Sequence, residues 1–309
     1  MNKTDTLPAE ELAARIGWLP DGYCQFIKPG MVAALLRPRP QFAHKGDFGH
    51  ALLVAGSRGM MGAAQLAAKA CLRGGVGLLT VHLPACGELP MQTAVPEAML
   101  SCDVLEDAVS SLDFKKLEKY SAIGAGPGLG RGAGASQCLK QLLQFYRRPM
   151  VFDADALNLL SENPTWLEFL PAGSILTPHP GELERLIGRT EDATERLERT
   201  RNFSARHRCV CLIKGAYTAV VCPDGRVYFN TTGNPGMATG GSGDVLCGLV
   251  LSLLAQGYAP EQAAVAGVFL HGLAGDLALA EQSEESLLAG DLPRYFGAAF
   301  KAVREAVPQ

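Results

Sequence analysis

The sequence predicts one α/β domain in which a doubly wound, mostly parallel sheet is flanked by helices, three layers deep. Three observations carry this expectation. Short apolar runs such as Ala51-Leu52-Leu53-Val54-Ala55-Gly56 recur and end in glycine, the pattern of strands buried on both faces. Helical patterns separate the runs, and strand–helix–strand order makes successive strands parallel with right-handed crossovers. The 309 residues, 48% hydrophobic and 19% charged, show no composition break, so a single large domain accommodates them.

Residues 1–40 mix charged, Pro and Gly positions with a short helical pattern at Met31–Leu36. They are expected to form an N-terminal extension or linker, with the domain proper at 41–309. After the strand at 51–56, Gly56-Ser57-Arg58-Gly59-Met60-Met61-Gly62 opens a helix over Gln65–Arg73. Its glycine spacing is not the dinucleotide fingerprint, so a tight turn and a close approach of Gly62 and Ala63 to a ligand both stand. Further strands are expected at 77–83 and 121–126, the latter running into Gly126-Pro127-Gly128-Leu129-Gly130. The strand at 149–152 ends in Asp153-Ala154-Asp155, which suits either helix capping or a magnesium ion held through waters. The run 174–177 leads to Pro178-His179-Pro180-Gly181-Glu182. There a histidine fixed between prolines beside an acid is poor core material and points to a ligand. A helix starts at Glu182 or Leu183, and Glu184–His207 reads as one charged, solvated helical layer.

Cys209–Ile213 resumes the sheet and ends at Lys214-Gly215, placing an ammonium where phosphates could meet it. A hairpin with a Pro-Asp-Gly turn follows over Thr218–Asn230. The densest signal comes next: Asn234-Pro235-Gly236-Met237-Ala238-Thr239-Gly240-Gly241-Ser242-Gly243-Asp244, then the apolar helix Val245–Leu254. A backbone without Cβ atoms at a helix N-terminus converges N–H groups on one point and forms an anion cradle. An aspartate there either caps the helix or takes a proton from a hydroxyl attacking a phosphate, while the cradle absorbs charge. A helix over Ala263–Ala280, containing His271, and a polar tail complete the chain.

The net charge of −3 and pI near 6.1 offer no broad basic face for nucleic acid. The apolar runs are too short to span a bilayer and the N-terminus lacks a signal-peptide core, so a cytoplasmic location is expected. Nine cysteines without a Cys-x-x-Cys pair read as small apolar fillers in a reducing compartment.

Taken together, the motifs resemble those of the ADP- or ATP-dependent NAD(P)H-hydrate dehydratases, a family with a ribokinase-like fold that repairs hydrated nicotinamide cofactors. The resemblance runs from His44-Lys45-Gly46-Asp47-Phe48-Gly49 to about Leu292. It takes in Gly62-Ala63-Ala64, Gly126-Pro127-Gly128-Leu129, Asp153-Ala154-Asp155-Ala156-Leu157, Thr177–Glu182, Lys214-Gly215 with Thr218, and Asn234–Asp244. It implies that Ala63, Gly128, His179 and Asp244 contact the hydrated dinucleotide. It also implies that Lys214, Gly215, Ala216, Tyr217, Thr218, Asn234, Gly240, Gly241, Ser242 and Gly243 contact the adenine nucleotide and its phosphates. Ser242 stands where threonine is usual, and the hydroxyl is retained.

The implied reaction is phosphorylation of the C6 hydroxyl by ADP or ATP, with Mg²⁺ and Asp244 as base, then elimination to NADH or NADPH. No dedicated metal ligands are implied; Mg²⁺ would ride on phosphates and waters near Asp153 and Glu182. The family further implies a homo-oligomer, a tetramer by resemblance, and an NAD(P)H-hydrate epimerase as functional partner, for which residues 1–40 are too short. A vitamin-precursor kinase of the same fold and a non-catalytic nucleotide sensor are the alternatives. His44-Lys45-Gly46-Asp47 and Pro-His-Pro-Gly-Glu separate the family from the kinases, and retention of Asp244 separates it from a sensor.

Overall fold

The structure is a computed structural model and describes residues 24–306; the earlier part of the expected extension, with its Trp18–Gly22 turn, lies outside the described residues. The strands are β1 Cys24–Phe26, β2 His50–Val54, β3 Leu78–Leu83, β4 Met99–Cys102, β5 Ala122–Ala125, β6 Met150–Phe152, β7 Ile175–Leu176, β8 Val210–Ile213, β9 Ala219–Val221 and β10 Val227–Phe229. They form one sheet in the order β1-β10-β9-β8-β7-β6-β5-β2-β3-β4. Every pairing is parallel except the two made by β9.

The helices are α1 Pro29–Leu35, α2 Met61–Arg73, α3 Glu88–Ala94, α4 Ala133–Phe145, α5 Ala154–Glu162, α6 Pro180–Ile187, α7 Ala193–His207, α8 Ser242–Ala255, α9 Pro260–Ala278 and α10 Leu292–Glu305. Alternation along the strands sorts them into two outer layers. Ala51 and Leu53 join a core built with α2, α8, α9 and α10. Leu52 and Val54 face the other core, which α4, α5, α6 and α7 complete. Helix α8 is buried from Val245 to Ala255, which is why its sequence is apolar all round rather than striped.

Close packing holds α8 against α2. A Cβ on Gly248 would lie 2.0 Å from the backbone oxygen of Ala67, a contact that only a shift of one helix backbone relieves. We expect Gly248→Ala to cost about 2–3 kcal/mol of stability, although alanine is the better helix former by about 1 kcal/mol. Denaturant unfolding checks this; a variant as stable as the parent would show that α2 and α8 can separate freely.

The structure departs from the sequence expectations in several places; helix α2, for one, begins at Met61 and not at Gln65. Residues 24–26 add a strand beside β10, and β4 extends the opposite edge; both are short and only partly buried, so neither carries a buried apolar run. The Glu184–His207 layer is two helices, α6 and α7, broken at Gly188 with φ +86°. Helix α6 starts earlier than expected, at Pro180, because His179 and Glu182 form a capping box. The polar tail contains α10, whose Leu292, Phe296, Ala299 and Val303 are buried. Six of the nine cysteines are buried and none is in a disulfide, and Cys209 and Cys211 share one core.

The His44–Gly49 motif proves to be architectural. A Cβ on Gly49 would fall 1.9 Å from the Ala255 oxygen, and one on Gly77 would fall 1.7 Å from the Lys45 oxygen. The motif therefore wedges between the end of α8 and the start of β3, at the amino edge of the sheet.

Candidate active site

The chain leaves β2 in one direction, through β3 to β4, and returns on its other side through β5 to β8. The carboxyl ends of β2 and β5 thus flank a topological switch point, where open α/β sheets leave a crevice for ligands. Two glycine-rich loops meet there. Gly128 has φ +59°, and a Cβ on it would lie 2.5 Å from the Met60 oxygen and 3.2 Å from the Ala63 Cβ. Ala63 and Gly128 are therefore neighbours, drawn together from separate βα loops. Ser57 Oγ donates to the Gly128 oxygen at 2.8 Å, and Gly130 N donates to Asp155 Oδ2 at 2.8 Å.

The glycine-rich loop leads straight into α8. Gly241 is the N-cap of α8 with φ +95°, and a Cβ there would sit 2.4 Å from Leu66 on α2. Gly243 and Asp244 lie in the first turn of α8, whose N–H groups a helix cannot satisfy internally. Asp244 is inside the helix, not its cap. Lys214 projects from the end of β8 across this turn; a Cβ on Gly243 would come within 3.2 Å of its Nζ.

The ammonium is fixed by Asp153 Oδ1 at 2.8 Å and lies 3.9 Å from Glu182 Oε2. Burial pushes the Lys214 pKa down, but Asp153 and Glu182 outweigh this and raise it, so the lysine stays charged. Asp153 occupies the N-cap position of α5 yet makes no capping bond. Its carboxylate, 1% exposed, goes to the lysine instead. The next residue, Ala154, is held at φ +46°, a left-handed conformation that costs a non-glycine residue free energy.

Asp244 differs from the other acids. It makes no hydrogen bond among the described residues. Burial, then the negative charge of Asp153, push its pKa up to about 7, against the opposing pull of Lys214. A carboxyl poised near neutrality beside donors for an anion has the properties of a general base.

His179 is half exposed and caps α6. Its Nδ1 accepts from Gly181 N at 3.0 Å and Glu182 N at 3.3 Å, and its own N–H donates to Glu182 Oε2 at 2.8 Å. With Nδ1 an acceptor, the neutral ring carries its proton on Nε2. The histidine thus reaches the Lys214 cluster through Glu182.

Beside the cradle opens a cavity of about 680 Å³ lined by Lys214, Gly215, Ala216, Tyr217, Thr218, Asn234, Ser242 and Gly243 among others. Gly240 and Gly241 are not in its lining; Gly241 packs on α2, and Gly240 is exposed with open space around it. Thr218 Oγ1 donates to the Gly215 oxygen at 3.1 Å and closes the turn after β8. Asn234 Oδ1 accepts from Gly236 N, and its Nδ2 donates to Asp276 Oδ1 at 3.1 Å.

Sequence reasoning passed over Asp276 and gave His271 no role. Asp276 holds the 233–234 turn through Gly233 N at 2.9 Å and Asn234. His271 lines the cavity from α9, and burial pushes its pKa down to about 4, so the ring is neutral. The signal was there to find: both are ionisable residues inside an otherwise small and apolar helix.

For magnesium, no group of three or more ligating side chains stands ready among the described residues. Asp153 is taken by Lys214, and Asp155 by Gly130 N and Asn158. This donor set fits a cation that arrives on phosphate oxygens and keeps its waters, not one caged by protein.

A parallel sheet with two helical layers and a glycine cradle at its carboxyl edge places this chain in the class of ribokinase-like α/β proteins. Within that class it belongs to the NAD(P)H-hydrate dehydratase family, which residues 51–296 match. The crystal structure of the ADP/ATP-dependent NAD(P)H-hydrate dehydratase from Bacillus subtilis, co-crystallised with ATP/Mg²⁺, superposes with a TM-score of 0.77 at 32% identity, covering 90% of this chain and 98% of that one. The ADP-dependent (S)-NAD(P)H-hydrate dehydratase of Neisseria meningitidis serogroup B is 37% identical over 84% of this chain and 87% of its own. The bifunctional NAD(P)H-hydrate repair enzyme Nnr of Moorella thermoacetica is 39% identical over 87% of this chain and 52% of its own. The chain thus spans about half the length of the bifunctional relatives it matches.

Proposed function

We propose that this chain is an ADP-dependent (S)-NAD(P)H-hydrate dehydratase. The observation that carries the reading is Asp244: a carboxyl without a hydrogen bond, held near pKa 7, in the first turn of a glycine cradle that Lys214 crosses. Support comes from family membership and from the relative named as ADP-dependent.

The substrate carries a hydroxyl at C6 of the reduced nicotinamide ring, and hydroxide leaves poorly. Asp244 takes the hydroxyl proton, and the oxygen attacks the β-phosphorus of ADP, releasing AMP. The N–H groups of the first turn of α8 and the Lys214 ammonium stabilise the charge on the transferred phosphoryl group. Mg²⁺ would arrive on the phosphates, near Asp153 and Glu182, and would supply further charge neutralisation. The C6–O bond of the phosphate ester then breaks, pushed by the ring nitrogen's lone pair; phosphate leaves, and transfer of the C5 proton to that phosphate or to water gives NADH or NADPH. Hydrated cofactor and ADP become cofactor, AMP and phosphate.

Ala63, Gly128 and His179 border the dinucleotide; Lys214–Thr218, Asn234 and Gly240–Gly243 serve the nucleotide. The adjoining cavity accommodates its nucleoside. The chain works in the cytoplasm as a homo-oligomer beside an epimerase activity, which the bifunctional name of the Moorella relative suggests.

The test is appearance of reduced-nicotinamide absorbance on mixing protein, hydrated NADH, Mg²⁺ and nucleotide. A rise that requires ADP supports the reading; no rise with ADP or ATP from folded protein overturns it. We also expect the acid limb of kcat/KM to fall with an apparent pKa of about 7, since a base acts only when deprotonated and Asp244 gains its proton there. A flat profile from pH 5.5 to 8 would remove Asp244 from that role.

A further inference from the structure

Among the described residues, arginines without a carboxylate partner gather at the edge of the sheet opposite the cradle. A cavity of about 670 Å³ there is lined by Arg37, Arg39, Arg73 and Arg304, with Phe42 and Phe48 beside them. Helix α8 separates it from the cradle: its N-terminus carries Gly243 and its C-terminus ends at Ala255 and Gln256, a span of about 21 Å for fourteen residues.

None of the four guanidiniums is bonded to a carboxylate among the described residues. Three are held in place by neutral groups. Arg37 donates to the Gly257 oxygen at 2.9 Å and lies 4.7 Å over the Tyr258 ring. Arg39 donates to the Gly75 oxygen and to Gln256 Oε1, and stacks 3.9 Å over the Phe48 ring. Arg304 donates to the Arg37 oxygen at 3.0 Å. Arg73 makes no hydrogen bond or ion pair among the described residues.

A purely architectural role would be to cap the ends of α2 and α8. The magnitudes do not balance. Two helix C-termini present about half a negative charge each, and Asp47 is the single acid in the lining. Four arginines therefore leave the cavity at about +2, on a chain whose net charge is −3. Stacking and carbonyl bonds fix these guanidiniums while leaving most of their N–H donors free, and planar forks of this kind match phosphate oxygens. Phe42, 93% exposed at the same cavity, adds an aromatic face on which a base can stack.

We propose that this cavity is a second binding site for a nucleoside diphosphate or a similar pyrophosphate-bearing nucleotide, separate from the cradle. It takes the phosphates on Arg39, Arg73 and Arg304 and the base on Phe42. The inference does not require the dehydratase reading, because no residue of the cradle takes part.

The test is amide hydrogen exchange of the full chain with and without ADP, repeated with inorganic pyrophosphate. Protection at residues 37–42 and 73–75 in addition to 240–244 is the expected result. Arg73→Glu with Arg304→Glu, both on exposed positions, should weaken the first set of protections at least about tenfold in ADP concentration and leave 240–244 unchanged. Protection confined to 240–244 overturns the second site and leaves the dehydratase reading intact; protection confined to 37–42 and 73–75 does the reverse. Equal protection of 37–42 and 73–75 by pyrophosphate and ADP overturns the assignment to a nucleotide.

Discussion

Asp244→Asn should give a folded protein that binds nucleotide and turns over at least ~100-fold more slowly, the usual scale for losing a general base. The amide keeps the size of the carboxyl and loses its capacity to take a proton. The same variant has a second, opposite signature. In the folded chain the Asp244 pKa is about 7 against an ordinary 3.8, so between those values the folded state holds a proton that the unfolded state has released. That contribution to stability is present below about pH 4 and lost as pH rises through 7. Asparagine has no charge to desolvate. The variant should therefore melt above the parent at pH 8 and level with it near pH 4, while being the slower enzyme throughout. Near-normal turnover would sink the assigned role, and a variant less stable at pH 8 would show that Asp244 is paired in a way the geometry does not include.

Lys214→Met should lose both stability and nucleotide affinity. Its partner Asp153 is 1% exposed and accepts from Lys214 Nζ at 2.8 Å. Removing one member of a buried pair leaves an uncompensated charge, worth roughly 3–5 kcal/mol. The double variant Lys214→Met with Asp153→Asn separates the two losses, because a neutral amide no longer needs the ammonium. We expect it to recover most of the stability and none of the affinity for ADP. Recovery of affinity along with stability would make Lys214 a strut for the cradle and not a phosphate contact.

How far the chain declared itself can be followed through particular residues. The parallel strands that were expected share one property: each is a short, mostly apolar run, because central parallel strands are buried on both faces. β1 and β4 lie at the edges of the sheet, where burial is one-sided, and no such run marks them. Helix α10 escaped notice because its apolar residues are spaced through a polar segment. The glycine-rich start of α8 was plain in the sequence, and at Gly241, with φ +95° and Leu66 2.4 Å from where a Cβ would stand, the backbone admits almost nothing else.

What the sequence determined by itself was therefore the local chemistry: a glycine-rich helix start, an aspartate in its first turn, a lysine ending a strand, and a parallel sheet to carry them. Only the tertiary structure decided what each acid does. Asp153 and Asp155 stand two residues apart and read as equals in sequence. In the fold one neutralises Lys214 and the other holds Gly130 N. Asp244, about ninety residues further along the chain, makes no hydrogen bond among the described residues and feels the charge of both. A pKa is set by burial and by the charges that lie within a few ångströms, and those distances exist only once separate loops have been brought to one edge of the sheet.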